Sequence, residues 1–170
     1  MDRRRQLEAV YNRHATAIHA FLLSVLRNDD FAREVMQDLF SKIADREHLL
    51  NGVRNDRSFL LRLAHNQAID MIRRRTSHQR KKDVLADSTP SPFAPSPDPD
   101  EQAFRDSLSA AMTELPAEQR AVVHLKLWEH MTFEAIATTL DIPQNTAASR
   151  YRYGLDKFRP LLRPVYEELK

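Results

Sequence analysis

The carboxyl-terminal part of the sequence carries a run of polar and basic side chains that could contact nucleic acid. A helix that reads DNA needs such groups in its first turns, where they reach base edges and phosphates. The small residues Ala147 and Ala148 would let the helix approach closely. A surface helix of a bundle could have the same composition, so the residues alone leave both interpretations open. The polar and basic members are Gln144, Asn145, Thr146, Ser149, Arg150 and Arg152.

A second set of polar and charged residues, in the middle of the chain, recurs at steps of three and four residues. That spacing places the set on roughly one face of a helix. Arginine and asparagine side chains there could contact phosphates and unpaired bases. A solvated helix face is the alternative, and the residues by themselves favour it. The set consists of Arg62, Asn66, Asp70, Arg73 and Arg74.

The sequence contains little that could perform catalysis or bind a metal. It has no cysteine, which excludes disulfides, thiolate zinc sites and a cysteine nucleophile. The 7 histidines do not have the spacing of metal ligands, and no pair of carboxylates stands out as catalytic. Glycine-rich phosphate loops and the Gly-x-Ser-x-Gly elbow are missing as well. We therefore expect no enzymatic activity, no cofactor and no metal, and we expect Trp128 to lie in a core.

The elements that must position these residues are predicted to be helices. With 2 glycines the chain is poor in the residue that tight hairpins need, whereas apolar residues recur at helical spacing. Three helices are predicted in the amino-terminal part, with Asp29-Asp30 at the N-cap of the second and Ser58 at the N-cap of the third. Asn51-Gly52 indicates a turn between them.

Four more helices are predicted in the carboxyl-terminal part. They extend over about 101–113, from Leu115-Pro116 onward, from Thr132 onward, and over about 144–158. A short helix, the three-residue turn Asp141-Ile142-Pro143 and the last helix together make a helix-turn-helix.

A proline-rich segment separates the two parts. Prolines alternate with other residues in STPSPFAPSPDPD, which predicts an extended or disordered linker. The prediction is an all-α protein with domains at residues 1–82 and 101–170, joined by residues 83–100. The formal net charge is only +2, but a basic block at 73–82 precedes an acidic one, which favours local attraction to a polyanion. Because no signal peptide or long apolar run is found, we expect a cytoplasmic protein without membrane insertion.

The helix-turn-helix segment MTFEAIATTLDIPQNTAASRYRYGLDKFR resembles region 4 of the bacterial sigma-70 family, in its extracytoplasmic-function (ECF) group. Asp141 replaces a common glycine of that family, and aspartate tolerates the left-handed backbone. The retained positions are Ile136, Ala137, Leu140, Ile142, Pro143, Thr146, Ser149 and Arg150, and Leu115–Arg120 is similar to the family's Leu-Pro-x-x-x-Arg. The resemblance implies that this part reads the -35 promoter element, through Gln144, Asn145, Thr146, Ser149, Arg150, Arg152 and Tyr153.

Two further segments are similar to region 2 of the same family. Phe59–Asp70 resembles Trp-Leu-x-x-Ile-Ala-x-Asn-x-x-x-Asp, and Val35–Phe40 resembles the Val-Gln-Glu-x-Phe segment that docks on the clamp helices of the largest polymerase subunit. The second match implies polymerase contacts by Gln37, Asp38 and Phe40. In this family the loop at 47–56 captures a flipped -10 base. The implied -10 contacts are Asn51, Arg54, Asn55, Arg62, Asn66, Asp70, Arg73 and Arg74.

Together the three matches imply a sigma factor that binds core RNA polymerase and directs promoter recognition and opening. Its partners would be core polymerase and promoter DNA, and the sequence leaves open whether an anti-sigma factor also binds. The alternative is a sigma-like interaction module that sequesters an anti-sigma factor without binding DNA. That alternative predicts the loss of basic residues from the last helix, where Arg150 and Arg152 are retained.

Overall fold

The computed structural model describes residues 2–79 and 95–168, and these residues form α-helices, one short 3-10 helix and connecting loops. Contacts between residues divide the chain into two compact units, with the boundary between Thr89 and Pro90. The all-α prediction is confirmed. The first unit contains α1 (Arg3–Leu26), α2 (Asp29–Asp45), the 3-10 helix (Glu47–Leu50) and α3 (Asp56–Gln79); the second contains α4 (Pro99–Thr113), α5 (Ala117–Leu127), α6 (Phe133–Leu140) and α7 (Gln144–Glu168).

The first unit is a three-helix bundle in which each helix packs against the other two. Its core consists of the apolar stripes that helical spacing predicts, because side chains three and four residues apart share one face. Fully burying one such side chain contributes about 1.5–3 kcal/mol. The buried residues include Ile18, Phe21, Leu22 and Val25 of α1, Val35, Leu39 and Ile43 of α2, and Leu60, Leu61 and Ala64 of α3.

The predicted N-caps of α2 and α3 are wrong by one and three positions. Asn28 caps α2, because its backbone is extended and its Oδ1 accepts a hydrogen bond from the N–H of Phe31 at 3.0 Å. Asp29 and Asp30 instead occupy the first turn, where negative charge is favourable at the positive end of the helix dipole. The N–H of Ser58 donates to Oδ1 of Asn55 at 3.0 Å, so Asn55 and not Ser58 provides the cap of α3.

The second unit is held together by α7, which packs against α4, α5 and α6. The core includes Met112, Leu115, Val123 and Phe158, with Trp128 partly buried against it, so the prediction for Trp128 is confirmed. Gly154 allows α7 to approach α5 closely, since a Cβ atom at this position would lie 2.6 Å from Cγ2 of Val123.

Two predicted boundaries of the second unit are corrected. Helix α4 begins at Pro99, because Oδ1 of Asp98 accepts from the N–H of Asp100 at 2.9 Å and proline suits the first turn. The last two positions of the predicted linker are therefore helical, while positions 83–94 lie outside the described residues. Helix α7 continues past Phe158 to Glu168, although it contains two prolines, each of which removes one backbone hydrogen bond from the helix.

Candidate nucleic-acid and polymerase interfaces

The helix-turn-helix is formed by α6, a three-residue turn and α7. Thr132 caps α6, its Oγ1 accepting from the N–H of Ala135 at 3.1 Å. Asp141 ends α6 in the left-handed conformation, with φ 55° and ψ 51°. The N–H of Ile142 then donates to the carbonyl of Ala137 at 3.0 Å, which closes the helix end. The predicted turn is confirmed, and Asp141 adopts the left-handed backbone that aspartate was expected to tolerate.

The first turns of α7 present a row of polar side chains to solvent. Gln144 and Asn145 are exposed, and Thr146 and Ser149 are half-buried beside the buried Ala147. The hydroxyl of Ser149 donates to the carbonyl of Asn145 at 2.8 Å, so its oxygen faces outward mainly as an acceptor.

Arg152 and Tyr153 extend this surface by one further turn. Arg152 is exposed, the phenol ring of Tyr153 is 55% exposed, and the guanidinium carbon of Arg152 lies 5.5 Å from the ring centre. The two side chains thus offer a cation and an aromatic surface next to each other.

Arg150 has different surroundings from the rest of the predicted -35 set. Its guanidinium lies 3.2 Å from a carboxylate oxygen of Glu118 on α5, and its side chain is only 25% exposed. The ring of Tyr151 packs edge-on against Phe133 of α6, with centroids 5.5 Å apart. These contacts fix the orientation of α7 relative to α5 and α6.

In the first unit, α3 brings together the second predicted set. Arg62, Asn66, Asp70, Arg73 and Arg74 are all exposed, as their spacing predicts. Asp70 and Arg74 line a groove between α3 and α2, together with Arg75. Arg75 anchors this end of the helix, because its guanidinium lies 3.4 Å from the ring centre of Phe31 and 3.9 Å from Glu34.

The loop before α3 contains a type II turn. Asn51 has φ −70° and ψ 124°, Gly52 has φ 76°, and the N–H of Val53 donates to the carbonyl of Leu50 at 3.4 Å. The positive φ of Gly52 explains why glycine follows Asn51 here. Asn51, Arg54 and Asn55 are exposed, but the amide oxygen of Asn55 already caps α3.

The three residues predicted to bind polymerase divide between two grooves on either side of α2. Gln37 and Phe40 line a groove with Tyr11 of α1, whose ring contacts Phe40 edge-on at 4.8 Å. Asp38 instead lines the groove shared with Asp70 and Arg74. Gln37 and Asp38 are both exposed along the outer face of α2.

Sequence reasoning missed three residues near the first groove. Nε2 of His19 lies 3.1 Å from Oδ1 of Asp29, and the guanidinium of Arg33 lies 2.9 Å from the other oxygen of that carboxylate. The pair Asp29 and Arg33 is detectable from its spacing of four residues, whereas the approach of His19 depends on how α1 packs against α2.

Two helical units, one of which carries a helix-turn-helix with an exposed polar helix, define a DNA-binding transcription factor. Family models match both units: "Sigma-70 region 2" over residues 10–78 and "Sigma-70, region 4" over residues 105–157. The chain is 32% identical to the RNA polymerase sigma factor CarQ of Myxococcus xanthus, over 91% of this chain and 88% of the relative. It is 27% identical to the ECF RNA polymerase sigma factor SigL of Mycobacterium tuberculosis, over 94% of this chain and 90% of the relative.

A solved structure is similar as well. The sigma factor RpoE in complex with the anti-sigma factor NepR from Bartonella quintana superposes with a TM-score of 0.73 and 22% identity, covering 94% of this chain and 96% of that one. The chain belongs to the sigma-70 family, in its ECF group. It is a promoter-recognition sigma factor whose partners are core RNA polymerase and promoter DNA, and it is not an enzyme. Among the described residues, none of the helices is both long and apolar enough to cross a membrane.

Proposed function

We propose that the two units divide promoter recognition between them. The first domain, residues 1–82, holds core polymerase through the outer face of α2 and the melted -10 strand through α3 and the loop before it. The second, residues 101–170, reads the -35 element through the first turns of α7, and residues 83–100 tether the two in a protein that works in the cytoplasm. The observation that carries the proposal is the exposure of Gln144 and Asn145 directly after the turn of the helix-turn-helix, with Arg152 also exposed farther along α7.

At the -35 element, the exposed side chains suit different parts of the duplex. The amides of Gln144 and Asn145 can pair with base edges in the major groove, where adenine offers both a donor and an acceptor. Arg152 supplies charge for a phosphate, and the ring of Tyr153 suits an apolar contact such as a thymine methyl group. Phosphate contacts would set the position of α7, and base contacts its sequence preference.

At the -10 element, the exposed face of α3 suits a strand that has left the duplex. Arg62, Arg73 and Arg74 supply cations for the backbone, and Asn66 can pair with an unstacked base. Asp70 would repel a phosphate, so we propose that its carboxylate accepts a hydrogen bond from the amino group of a base. In the preceding loop, Asn51 is better placed than Asn55 to hold a base, because the oxygen of Asn55 is used in the cap of α3.

Run-off transcription tests the proposal. Core polymerase and genomic DNA fragments from the organism that encodes the chain are incubated with and without the protein, and the transcript ends are mapped. We expect transcripts that depend on the protein and whose start sites share sequences near -10 and -35. Core polymerase that initiates equally with and without the protein would refute the proposal.

The same experiment addresses the rival function, a sigma-like module that only sequesters an anti-sigma factor. Such a module has no need for an exposed arginine on α7, so the exposure of Arg152 favours promoter binding. Stable binding to core polymerase without any promoter-dependent transcript would support the rival instead.

A further inference from the structure

The proposed function assigns no role to the three arginines at the start of the chain. Arg3, Arg4 and Arg5 lie in the first turns of α1 and are exposed. Two of them, Arg3 and Arg4, line a pocket of about 670 Å³ that also contains Asn51, the candidate base-capturing residue. Arg5 is not among the lining residues.

The pocket is lined by apolar residues, here called its floor, and by polar and charged residues, here called its rim. Ile43 at the end of α2 is buried, and Leu7 of α1 and Leu50 of the 3-10 helix are half-buried. Its volume lies within the range of small-molecule pockets, about 300–1,000 Å³. A nucleobase, with apolar faces and hydrogen-bonding edges, suits such a pocket.

The charges on the rim favour an anionic ligand. The guanidinium groups of Arg3 and Arg4 stand against a single carboxylate among the lining residues, that of Asp45, and the imidazole of His48 adds a hydrogen-bonding group. Arginine binds phosphate oxygens with two parallel hydrogen bonds, and these are stronger than neutral ones. A ligand with a base for the floor and a phosphate for the rim therefore fits both halves of the pocket.

We infer that Arg3 and Arg4 bind the phosphates next to the base that Asn51 captures, so that the amino-terminal turn of α1 forms part of the single-stranded DNA site. This inference rests on the proposed function. Asn51, which precedes the left-handed Gly52, and the first turn of α1 line the same pocket. Base and backbone of one nucleotide step would thus be held in the same pocket.

The test compares holoenzymes on a forked promoter fragment with a single-stranded -10 element, taken from the mapped transcripts. Binding is measured by fluorescence anisotropy at several salt concentrations. The affinity for single-stranded DNA falls with salt by about 0.7 log units per log unit for each phosphate neutralised. We expect R3A/R4A to reduce this slope by about 1.4, if each arginine contacts one phosphate. R3K/R4K, which keeps both charges, should retain the slope.

The matched control is R5A/R13A, which removes two exposed charges from the same helix outside the pocket. It should leave the slope as in the wild type. Equal salt slopes for R3A/R4A and the control would overturn the inference. A separate titration measures binding of R3A/R4A to core polymerase, and loss of that binding would also overturn the inference. If the wild-type holoenzyme binds the forked fragment no better than core polymerase does, the proposed function itself fails.

Discussion

At the scale of single residues, Arg150 and Arg152 show how neighbours on one helix acquire different roles. Both are retained basic residues of the predicted -35 set, two positions apart on α7. Because helical positions two apart point in different directions, Arg150 turns toward Glu118 of α5 while Arg152 turns to solvent. We therefore assign phosphate binding to Arg152 and orientation of α7 to Arg150.

Salt dependence distinguishes these two roles. Replacing Arg152 with alanine should flatten the log–log salt slope of binding to -35 duplex by about 0.9, the contribution of one phosphate. Replacing Arg150 with alanine should change the slope less, because Glu118 already compensates the charge of Arg150. The same replacement should lower the free energy of unfolding by at most about 1 kcal/mol. E118Q provides the control, since it disrupts the same ion pair from the other side. Equal slope changes for R150A and R152A would contradict the assignment.

A second residue-scale prediction concerns Asp38. Reversing its charge with D38R should weaken binding to core polymerase, because a like-charge contact at an interface costs several kcal/mol, about 100-fold or more in affinity. The measurement is a titration of labelled core polymerase with full-length protein. E8R makes the same charge change at an exposed position of α1 and should bind normally. Unchanged affinity of D38R, with normal helicity, would exclude this face of α2.

At the scale of elements, the -35 surface depends on how closely α7 can approach its neighbours. Gly154 makes this approach possible, because even one methyl group there would overlap the side chain of Val123. The ion pair of Arg150 and the ring contact of Tyr151 then fix the orientation of the helix. A change inside the core of the second unit is therefore expected to affect DNA binding from a distance.

Replacing Gly154 with alanine should test this packing. Alanine is a better helix former than glycine by about 1 kcal/mol, but overpacking a core costs about 1–3 kcal/mol, so we expect a net loss of stability of up to about 2 kcal/mol. Urea unfolding followed by fluorescence reports on this unit, because Trp128 is the only tryptophan. In a V123A background the clash is removed and the cost of G154A should shrink. An unchanged cost would show that Val123 is not the obstacle.

At the scale of the whole molecule, the described residues form two units that bind different promoter elements in the proposed function. Two separated promoter elements require two binding surfaces, and a tether raises the effective concentration of the second unit once the first has bound. The proline-rich composition of positions 83–98 is typical of such a tether. Asp98 caps α4, so the tether ends there and not at Asp100.

Limited proteolysis checks the division into two domains. A protease of broad specificity should cut the full-length protein first between Asp83 and Asp98, because elements packed in a core resist cleavage. Two helical fragments should result, and tryptophan fluorescence identifies the carboxyl-terminal one through Trp128. First cuts inside α1 or α7 would contradict the division.

The sequence by itself determined the features that depend on neighbouring residues. Helical spacing predicted the buried stripes of α1, α2 and α3, and Asp141-Ile142-Pro143 predicted the turn of the helix-turn-helix. These are local properties, because side-chain period and backbone preference act within a few residues. The motifs of regions 2 and 4 indicated the family in the same way, because each is a short run of neighbouring residues.

Only the tertiary structure decided which distant residues meet. It paired Arg150 with Glu118, separated Asp38 from Gln37 and Phe40, and placed the arginines of α1 beside Asn51. Even the caps of α2 and α3 depended on which of several adjacent polar residues accepts a hydrogen bond from the first turn of the helix. The physical reason is that such contacts depend on the angles and offsets at which helices pack. Those are set by the shapes of many buried side chains together and not by any single run of residues.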